Sequence, residues 1–400
     1  LQPSPPPATV PAVPIACECP MSATASPLSA AESKAPSPPK TGFAQTPGYL
    51  FGPWMDFFCL GGASLLVIPW FALLPTDWKN YADVLVITTA IAHFINNPHF
   101  AHSYHLFYRG FGSRGFSAEY PREWRIRYLI AGVVVPLALI GFFLWCLLTK
   151  NARALGWSVN LMFFTVGWHY VKQGYGMLML DSVLKRRFFA ETEKKVLLWN
   201  AYAVWFLSWL LANAYAYKAD YWGISYYTFT TPAPILTAIT AITCVTSAAT
   251  LVMLGLKWRA TKQLLPVNGL VGYMVALYVW LLYRDPVLTL IFPAMHSIQY
   301  MVVVWRYELN YQQEQTADGN SAVRFSLRMA FFYALAMGLG YVGFWQGPKW
   351  LATVAPSLIE GVGDYAFLLA AWIFINVHHY FLDSVVWRKG NPETGRYLFR

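Results

Sequence analysis

The sequence contains few charged side chains. Asp, Glu, Lys and Arg make up 12% of the 400 residues, whereas 57% are hydrophobic. A soluble domain typically has about 25% charged residues, so this chain cannot cover a globule with a hydrated surface. Apolar stretches of about 20 residues, the length that crosses a hydrocarbon core, recur after the first 50 residues. The sequence therefore predicts an all-α, polytopic transmembrane helix bundle.

Cysteines and carboxylates are also scarce, and this excludes several kinds of metal site. The five cysteines include no CxxC pair of the kind that binds zinc and no CxxCH motif for covalently attached haem. Asp and Glu number only 19. Calcium and magnesium prefer oxygen ligands, so neither ion is favoured here.

The apolar segments predict about ten membrane spans. Lys and Arg concentrate in the loops after the second, fourth, sixth and eighth segments and in the C-terminal tail. This positive-inside pattern predicts an inner (plasma) membrane protein with both termini in the cytoplasm. It also accounts for the net charge of +10 without nucleic-acid binding. The predicted spans are residues 55–75, 83–108, 126–148, 152–181, 194–217, 233–256, 266–283, 287–305, 323–345 and 364–387.

The chain divides into a tail and one membrane domain. Residues 1–46 are rich in Pro, Ser and Ala and have few large apolar side chains. Such a segment cannot bury enough surface to offset its ordering entropy, so we predict that it is disordered. Residues 47–390 are predicted to form one transmembrane helical domain, and residues 391–400 a cytoplasmic C-terminal tail.

The eight histidines lie in only four of the predicted spans, the second, fourth, eighth and tenth. Each of these spans is predicted to run from the outside to the cytoplasm, with its histidines in the middle or inner part. Ionisable side chains inside a membrane are costly and mark a functional site by default. A divalent transition metal commonly holds several neutral imidazoles together. The sequence therefore predicts a metal site with the ligands His99, His102, His105, His169, His296, His378 and His379.

His93 is a weaker candidate for the same site. A straight helix would point it away from His99, but Pro98 is expected to bend the helix between them. Polar side chains one helical turn after a histidine share its face, and they could orient ligands or move protons. The predicted residues of this kind are Gln173, Tyr300 and Asp383, and Ser103 has the same spacing after His99.

Two histidine-rich segments, HFAHSYH (99–105) and VHHYF (377–381), resemble the clusters of histidine-box membrane di-iron enzymes, the fatty-acid desaturase and hydroxylase superfamily. The resemblance implies iron, as one ion or as a pair. It also implies oxygen-dependent oxidation of a lipid or other hydrophobic substrate, with an electron-donor protein as partner. The two HxxHH boxes of that superfamily are absent. The segments HSIQYMVVVWRYE (296–308) and HHYFLDSVVWR (378–388) also resemble parts of a polytopic bacterial membrane protein family.

Three other kinds of site would also suit these residues. Copper or zinc would also suit imidazole ligands. Two histidines on facing helices would suffice to ligate haem in an electron-transfer subunit. Alternatively, His, Lys and Asp side chains could form an intramembrane relay in a proton-coupled transporter. Pro98 and Pro293, each shortly before a histidine, could mark the broken helices that transporters often contain.

Overall fold

The computed structural model of the chain is almost entirely helical. It describes residues 46–73, 81–215, 220–221, 224–225, 227–282, 288–315, 322–355 and 365–399. The predicted disordered tail lies, up to residue 45, outside the described residues. Asp220–Tyr221 (β1) and Ile224–Ser225 (β2) form a short antiparallel ladder. The helices are α1 (Pro53–Phe57), α2 (Ala63–Leu73), α3 (Tyr81–Ala92), α4 (Asn96–Tyr108), α5 (Phe111–Phe116), α6 (Arg122–Leu129), α7 (Val135–Leu148), α8 (Ala152–Leu184), α9 (Glu191–Tyr215), α10 (Ala233–Thr261), α11 (Val267–Met274), α12 (Leu288–Gln315), α13 (Ala322–Tyr341), α14 (Gly347–Val354), α15 (Tyr365–Val386) and α16 (Pro392–Leu398).

Two pairs of neighbouring helices are continuous through a π-helical segment, in which one extra residue is accommodated within the helix. Ile130–Val134 joins α6 to α7, and Val342–Gln346 joins α13 to α14. The π-helical segment Val275–Trp280 extends α11, and the segment Phe58–Gly62, between α1 and α2, is kinked at Gly61. Among the described residues, six helical segments are long and apolar enough to cross a membrane. They confirm the prediction of a helical membrane protein. The six segments are Pro53–Trp70, Arg122–Leu148, Glu191–Ala214, Ala233–Thr261, Ser326–Val354 and Tyr365–Val386.

Two long helices outside this apolar set, α8 and α12, carry many of the buried polar side chains. Helix α8 has 33 residues and packs against α9, α11 and α15. Helix α12 packs against α4, the π-helical segment Phe58–Gly62 and α16. Their buried polar residues include Asn160, His169, Gln173, His296 and Gln299. Polar groups within the bundle are therefore enclosed by helices whose outer faces are apolar.

The helix predicted over residues 83–108 is broken. Helix α3 ends at Ala92 and α4 begins at Asn96, with a turn between them. Pro98 falls in the first turn of α4, where its missing amide hydrogen is tolerated. The break directs His93 towards α13 and its π-helical extension, where the His93 ring lies 5.8 Å from the rings of both Tyr341 and Trp345. The expected change of direction before His99 is therefore present.

The first membrane segment lies directly against α11 because Gly61 and Gly272 have no side chains, and Gln299 joins the same segment to α12. Gly61 has a φ of +149°, a conformation that side-chain-bearing residues rarely adopt. A Cβ on Gly272 of α11 would clash with the Leu60 carbonyl oxygen. The same carbonyl accepts a hydrogen bond of 2.5 Å from the Gln299 side chain on α12. These contacts bring the polar face of α12 to the centre of the bundle.

The predicted C-terminal tail contains an ordered helix, α16, that packs on α12. The Asn391 side chain accepts a hydrogen bond of 3.1 Å from the Glu393 amide and thereby caps this helix. Asn310 on α12 donates to the Tyr397 carbonyl over 2.7 Å. Arg114 on α5 donates to the Glu393 carboxylate over 2.8 Å. The end of the chain is thus joined to two other parts of the bundle.

Candidate metal centre

Three histidines and one aspartate converge inside the helix bundle. His99 comes from α4, His169 from α8, and His379 and Asp383 from α15. One potential ligand atom of each side chain lies within 4.8 Å of those of the other three. All four residues are buried, and Asp383, the most exposed of them, is only 6% exposed.

The distances between these atoms suit a shared cation. The Nε2 atoms of His169 and His379 are 3.3 Å apart. Asp383 Oδ2 is 3.4 Å from His379 Nε2 and 3.9 Å from His169 Nε2. Ligand atoms bound at about 2.1 Å to one tetrahedral ion are separated by about 3.4 Å. The atoms of His169, His379 and Asp383 therefore have nearly the separations of a ligand set, and the His99 atom lies within 4.8 Å of each of them.

Helix α15 supplies two of the four groups because of its sequence spacing. His379 and Asp383 are four residues apart and so lie on the same face of the helix. The neighbouring His378 is rotated by about 100° and points elsewhere. Its Nε2 donates to the Ala131 carbonyl over 2.9 Å, and its Nδ1 lies 2.9 Å from the Tyr104 hydroxyl. Both nitrogens of His378 are thus occupied by hydrogen bonds.

Two hydroxyl groups orient the Asp383 carboxylate. Its Oδ1 accepts hydrogen bonds from Ser103 on α4 over 2.8 Å and from Tyr300 on α12 over 3.1 Å. The two hydroxyls also contact one another. With Oδ1 held in this way, Oδ2 faces the histidines. Tyr300, a residue predicted from sequence, therefore touches the candidate ligand set through Asp383.

The surroundings of His99 select the ring nitrogen that is available for a metal. Its Nδ1 lies 3.0 Å from Ser297 Oγ, and that oxygen lies 2.6 Å from Asn96 Oδ1. Donation from Nδ1 to Ser297, and from Ser297 to Asn96, leaves Nε2 unprotonated. Among the described residues this buried Nε2 has no hydrogen-bond partner. The hydrogen-bond chain thus presents a lone pair at Nε2, as a metal ligand requires.

His296 lies directly beside the four converging residues. Its ring centre is 4.9 Å from that of His169 and 5.2 Å from that of His99. The Tyr170 ring stacks on it at 4.0 Å. Within the described part of the chain, neither nitrogen of His296 has a hydrogen-bond partner. The ring nitrogens of His296 are therefore available to a metal ion or to a bound molecule next to the four-residue set.

The other predicted residues have different surroundings. His102 and His105 pack against Phe332 of α13, with ring centres 4.1 and 5.1 Å from it. Gln173 donates to the His296 carbonyl over 3.0 Å and to Gln299 over 2.8 Å, so it joins α8 to α12. Of the seven histidines predicted as ligands, the structure brings His99, His169 and His379 together and places His296 beside them. It does not bring His102, His105 or His378 to this group.

The candidate metal centre also contains residues for which the sequence predicted another role or no role. Asp383 was predicted to orient ligands or move protons, yet its Oδ2 belongs to the converging set. The spacing of four residues from His379 was the available signal. Ser103, four residues after His99, was one of the predicted polar companions, and it contacts the set through Asp383. Ser297 was not predicted, because a serine in a membrane helix commonly bonds to its own backbone. Comparisons of the chain with protein-family models, with curated proteins and with solved structures found no match.

Proposed function

We propose that this protein is a membrane metalloenzyme whose metal is held by His99, His169, His379 and Asp383. The observation that carries the proposal is the convergence of three imidazoles and one carboxylate from three helices at a buried point. Buried polar groups are almost always paired, and a cation would satisfy all four of these at once. Nitrogen ligands with a single carboxylate suit iron, copper or zinc better than calcium or magnesium.

Iron is the metal that we propose first. Histidine and carboxylate ligands with open positions are typical of non-haem iron sites, and such an ion would supply oxygen activation. The one converging set in the described residues supports a single ion rather than a pair. Haem is disfavoured because the His379 ring lies 4.6 Å from that of His99 and 4.8 Å from that of His169. Rings in such contact leave no room for a porphyrin.

The reaction that we propose is an oxygen-dependent oxidation, of the hydroxylase or desaturase type, on a lipid or other hydrophobic substrate. Support comes from the position of the site among membrane helices, where substrates dissolved in the bilayer are the accessible ones. In this scheme Asp383 both binds the metal and stays connected to two hydroxyls, Ser103 and Tyr300. These hydroxyls can pass a proton to or from the carboxylate. Gln173 holds the His296 backbone and keeps α12 in register with α8.

The ten-span topology belongs to the same proposal. Helix α8 has 33 residues, which corresponds to about 50 Å and exceeds a hydrocarbon core of about 30 Å. Its mean hydropathy is lowered by polar side chains that face other helices. The same argument applies to α12, and α3–α4 and Val267–Trp280 would complete the count. Both termini would then lie in the cytoplasm, at the inner membrane.

A proton-coupled transporter is the second candidate function. The observation that favours it is the break between α3 and α4, because broken helices commonly line transport sites. Protein purified without bound metal that nevertheless shows proton-dependent uptake would support the transporter. Bound iron without a haem absorption band would support the metalloenzyme.

Two adjacent histidines provide a matched test of the metal site. We expect His379→Ala, measured by metal analysis of detergent-purified protein, to lose most of its bound metal. His378→Ala should keep the wild-type metal content, because both nitrogens of His378 are already hydrogen-bonded. It should instead cost about 1–3 kcal/mol of stability through its unpaired partners. Equal metal content in the two variants would contradict the proposed ligand set.

A further inference from the structure

A second feature of interest is a cavity of about 510 Å³ between α3, α13, α14 and α15. Its volume is within the range of small-molecule sites, roughly 300–1,000 Å³. Tyr341 and Tyr365 both line it and are 47% and 54% exposed, so they lie at its opening. Tyrosines are enriched where membrane proteins meet the lipid headgroups. The cavity is thus placed to receive a ligand from the bilayer.

The polar groups of the cavity provide one acceptor and one donor. His93 Nδ1 lies 3.2 Å from the Thr89 carbonyl, which can only accept, so Nδ1 carries the proton. In the neutral ring, Nε2 then has a lone pair that can accept a hydrogen bond. Lys349 also lines the cavity and can donate one. A ligand ring would match both groups if a hydroxyl at one end donated to His93 and an oxygen at the other end accepted from Lys349.

A continuous series of aromatic contacts leads from this cavity to the candidate metal centre. The distances between ring centres are 5.8 Å for His93–Trp345, 5.9 Å for Trp345–Trp372 and 4.9 Å for Trp372–Phe344. The series continues at 5.1 Å for Phe344–Phe100 and ends at 4.8 Å for Phe100–His379. An ordinary lipid site would have no need to be connected to a metal ligand in this way.

The same rings separate the cavity from the metal centre. Phe344 is 1% exposed and Phe100 is 6% exposed, and both lie between the cavity and His379. A molecule in the cavity therefore cannot touch the ligand atoms and cannot be the substrate oxidised there. Electrons can tunnel across a packed aromatic layer without oxidising it, and the indoles of Trp345 and Trp372 are the largest π systems in this one.

We propose that this cavity binds a membrane quinol that donates electrons to the metal centre. The proposal rests on the proposed function, because insertion of one oxygen atom from O₂ requires two electrons and two protons from a donor. The quinol loses both and becomes the quinone. One oxygen atom enters a substrate C–H bond to give an alcohol, and the other leaves as water. His93 Nε2 accepts one hydroxyl proton and the second leaves through the cavity opening, while the two protons that the water takes up reach the metal centre through the Ser103 and Tyr300 hydroxyls beside Asp383. A lipid-soluble quinol thus takes the place of an electron-donor protein.

Binding is tested with decylubiquinone and detergent-purified protein in a calorimeter. We expect saturable binding by the wild type and about tenfold weaker binding by Trp345→Leu, which loses a stacking surface. The matched control is Trp157→Phe, since Trp157 lines a separate cavity of about 400 Å³. It should bind as the wild type does. No saturable binding by the wild type, or equal weakening in both variants, would overturn the assignment.

Electron transfer is tested without oxygen, by mixing ferric protein with decylubiquinol and following the loss of the ferric electron paramagnetic resonance signal. Trp372→Phe keeps an aromatic ring and does not line the cavity. It should slow the reduction while leaving decylubiquinone affinity unchanged, and Trp157→Phe should change neither. An unchanged rate in Trp372→Phe, or a metal-loaded protein that quinol does not reduce, would overturn the proposal. Protein that binds decylubiquinone but no metal would contradict the proposed function and the electron transfer that depends on it, and would leave only the cavity's role as a quinone site.

Discussion

Replacing Tyr300 by phenylalanine should weaken metal binding without dismantling the site. The substitution keeps the ring, whose centre lies 4.4 Å from that of His99, and removes only the hydroxyl that donates to Asp383 over 3.1 Å. A hydrogen bond to a charged group contributes about 1.5–3 kcal/mol. Because about 1.4 kcal/mol corresponds to a factor of ten, we expect an affinity about 10- to 100-fold lower. Losses of this size are typical for partners of metal ligands.

The assay is competition for Fe²⁺ between the detergent-purified protein and a chelator of known affinity. Tyr273→Phe is the matched control, because Tyr273 is also fully buried and its hydroxyl donates to the Leu197 carbonyl over 2.7 Å. That variant should lose stability but bind the metal normally. Wild-type affinity in Tyr300→Phe would refute the reasoning, because it would mean that the hydroxyl does not position the carboxylate. An equal loss in Tyr273→Phe would show that the effect is general destabilisation.

Two further predictions concern packing and charge. A Cβ on Gly340 would lie 2.6 Å from the nearest atom of α4, so Gly340→Ala should cost about 1–3 kcal/mol and lower Tm in detergent. Gly338 has open space on the same helix, and an equal decrease in Gly338→Ala would contradict this interpretation. Arg109→Met should cost about 3–5 kcal/mol, because it leaves the completely buried Glu308, which also accepts a hydrogen bond from Gln312, without its positively charged partner at 2.8 Å. Arg127→Met breaks only an exposed ion pair and should cost less than about 1 kcal/mol in the same melting assay, so similar shifts would rule out a special role for Arg109.

Hydropathy was sufficient to predict the helical membrane architecture, because burial in lipid requires long apolar segments. The unusual polarity of four predicted spans also identified three of the converging histidines, His99, His169 and His379. Sequence spacing gives only relative directions around one helix, however. His99 and His102 are three residues apart and share a side of α4, but α12 lies against one and α13 against the other. Which helix meets which side depends on tertiary packing that a single sequence does not encode in any simple pattern.

The same limit applies to pairs of residues and to helix continuity. His378 and His379 are about 100° apart, so only one of them can face the centre directly, and the sequence does not show which. Each π-helical segment accommodates an additional residue and changes the direction of all later side chains. The segment Val342–Gln346 directs Phe344 and Trp345 towards α15. The hydropathy of the sequence does not reveal that this segment is π-helical.

The contacts of α16 have a consequence for how the protein is made. Its capping residue follows the last membrane segment, and its partners Arg114 and Asn310 are synthesised long before it. The bundle can therefore close on its cytoplasmic side, in the proposed topology, only after α16 has left the ribosome. Nascent chains stalled before residue 392 should remain open and sensitive to proteases.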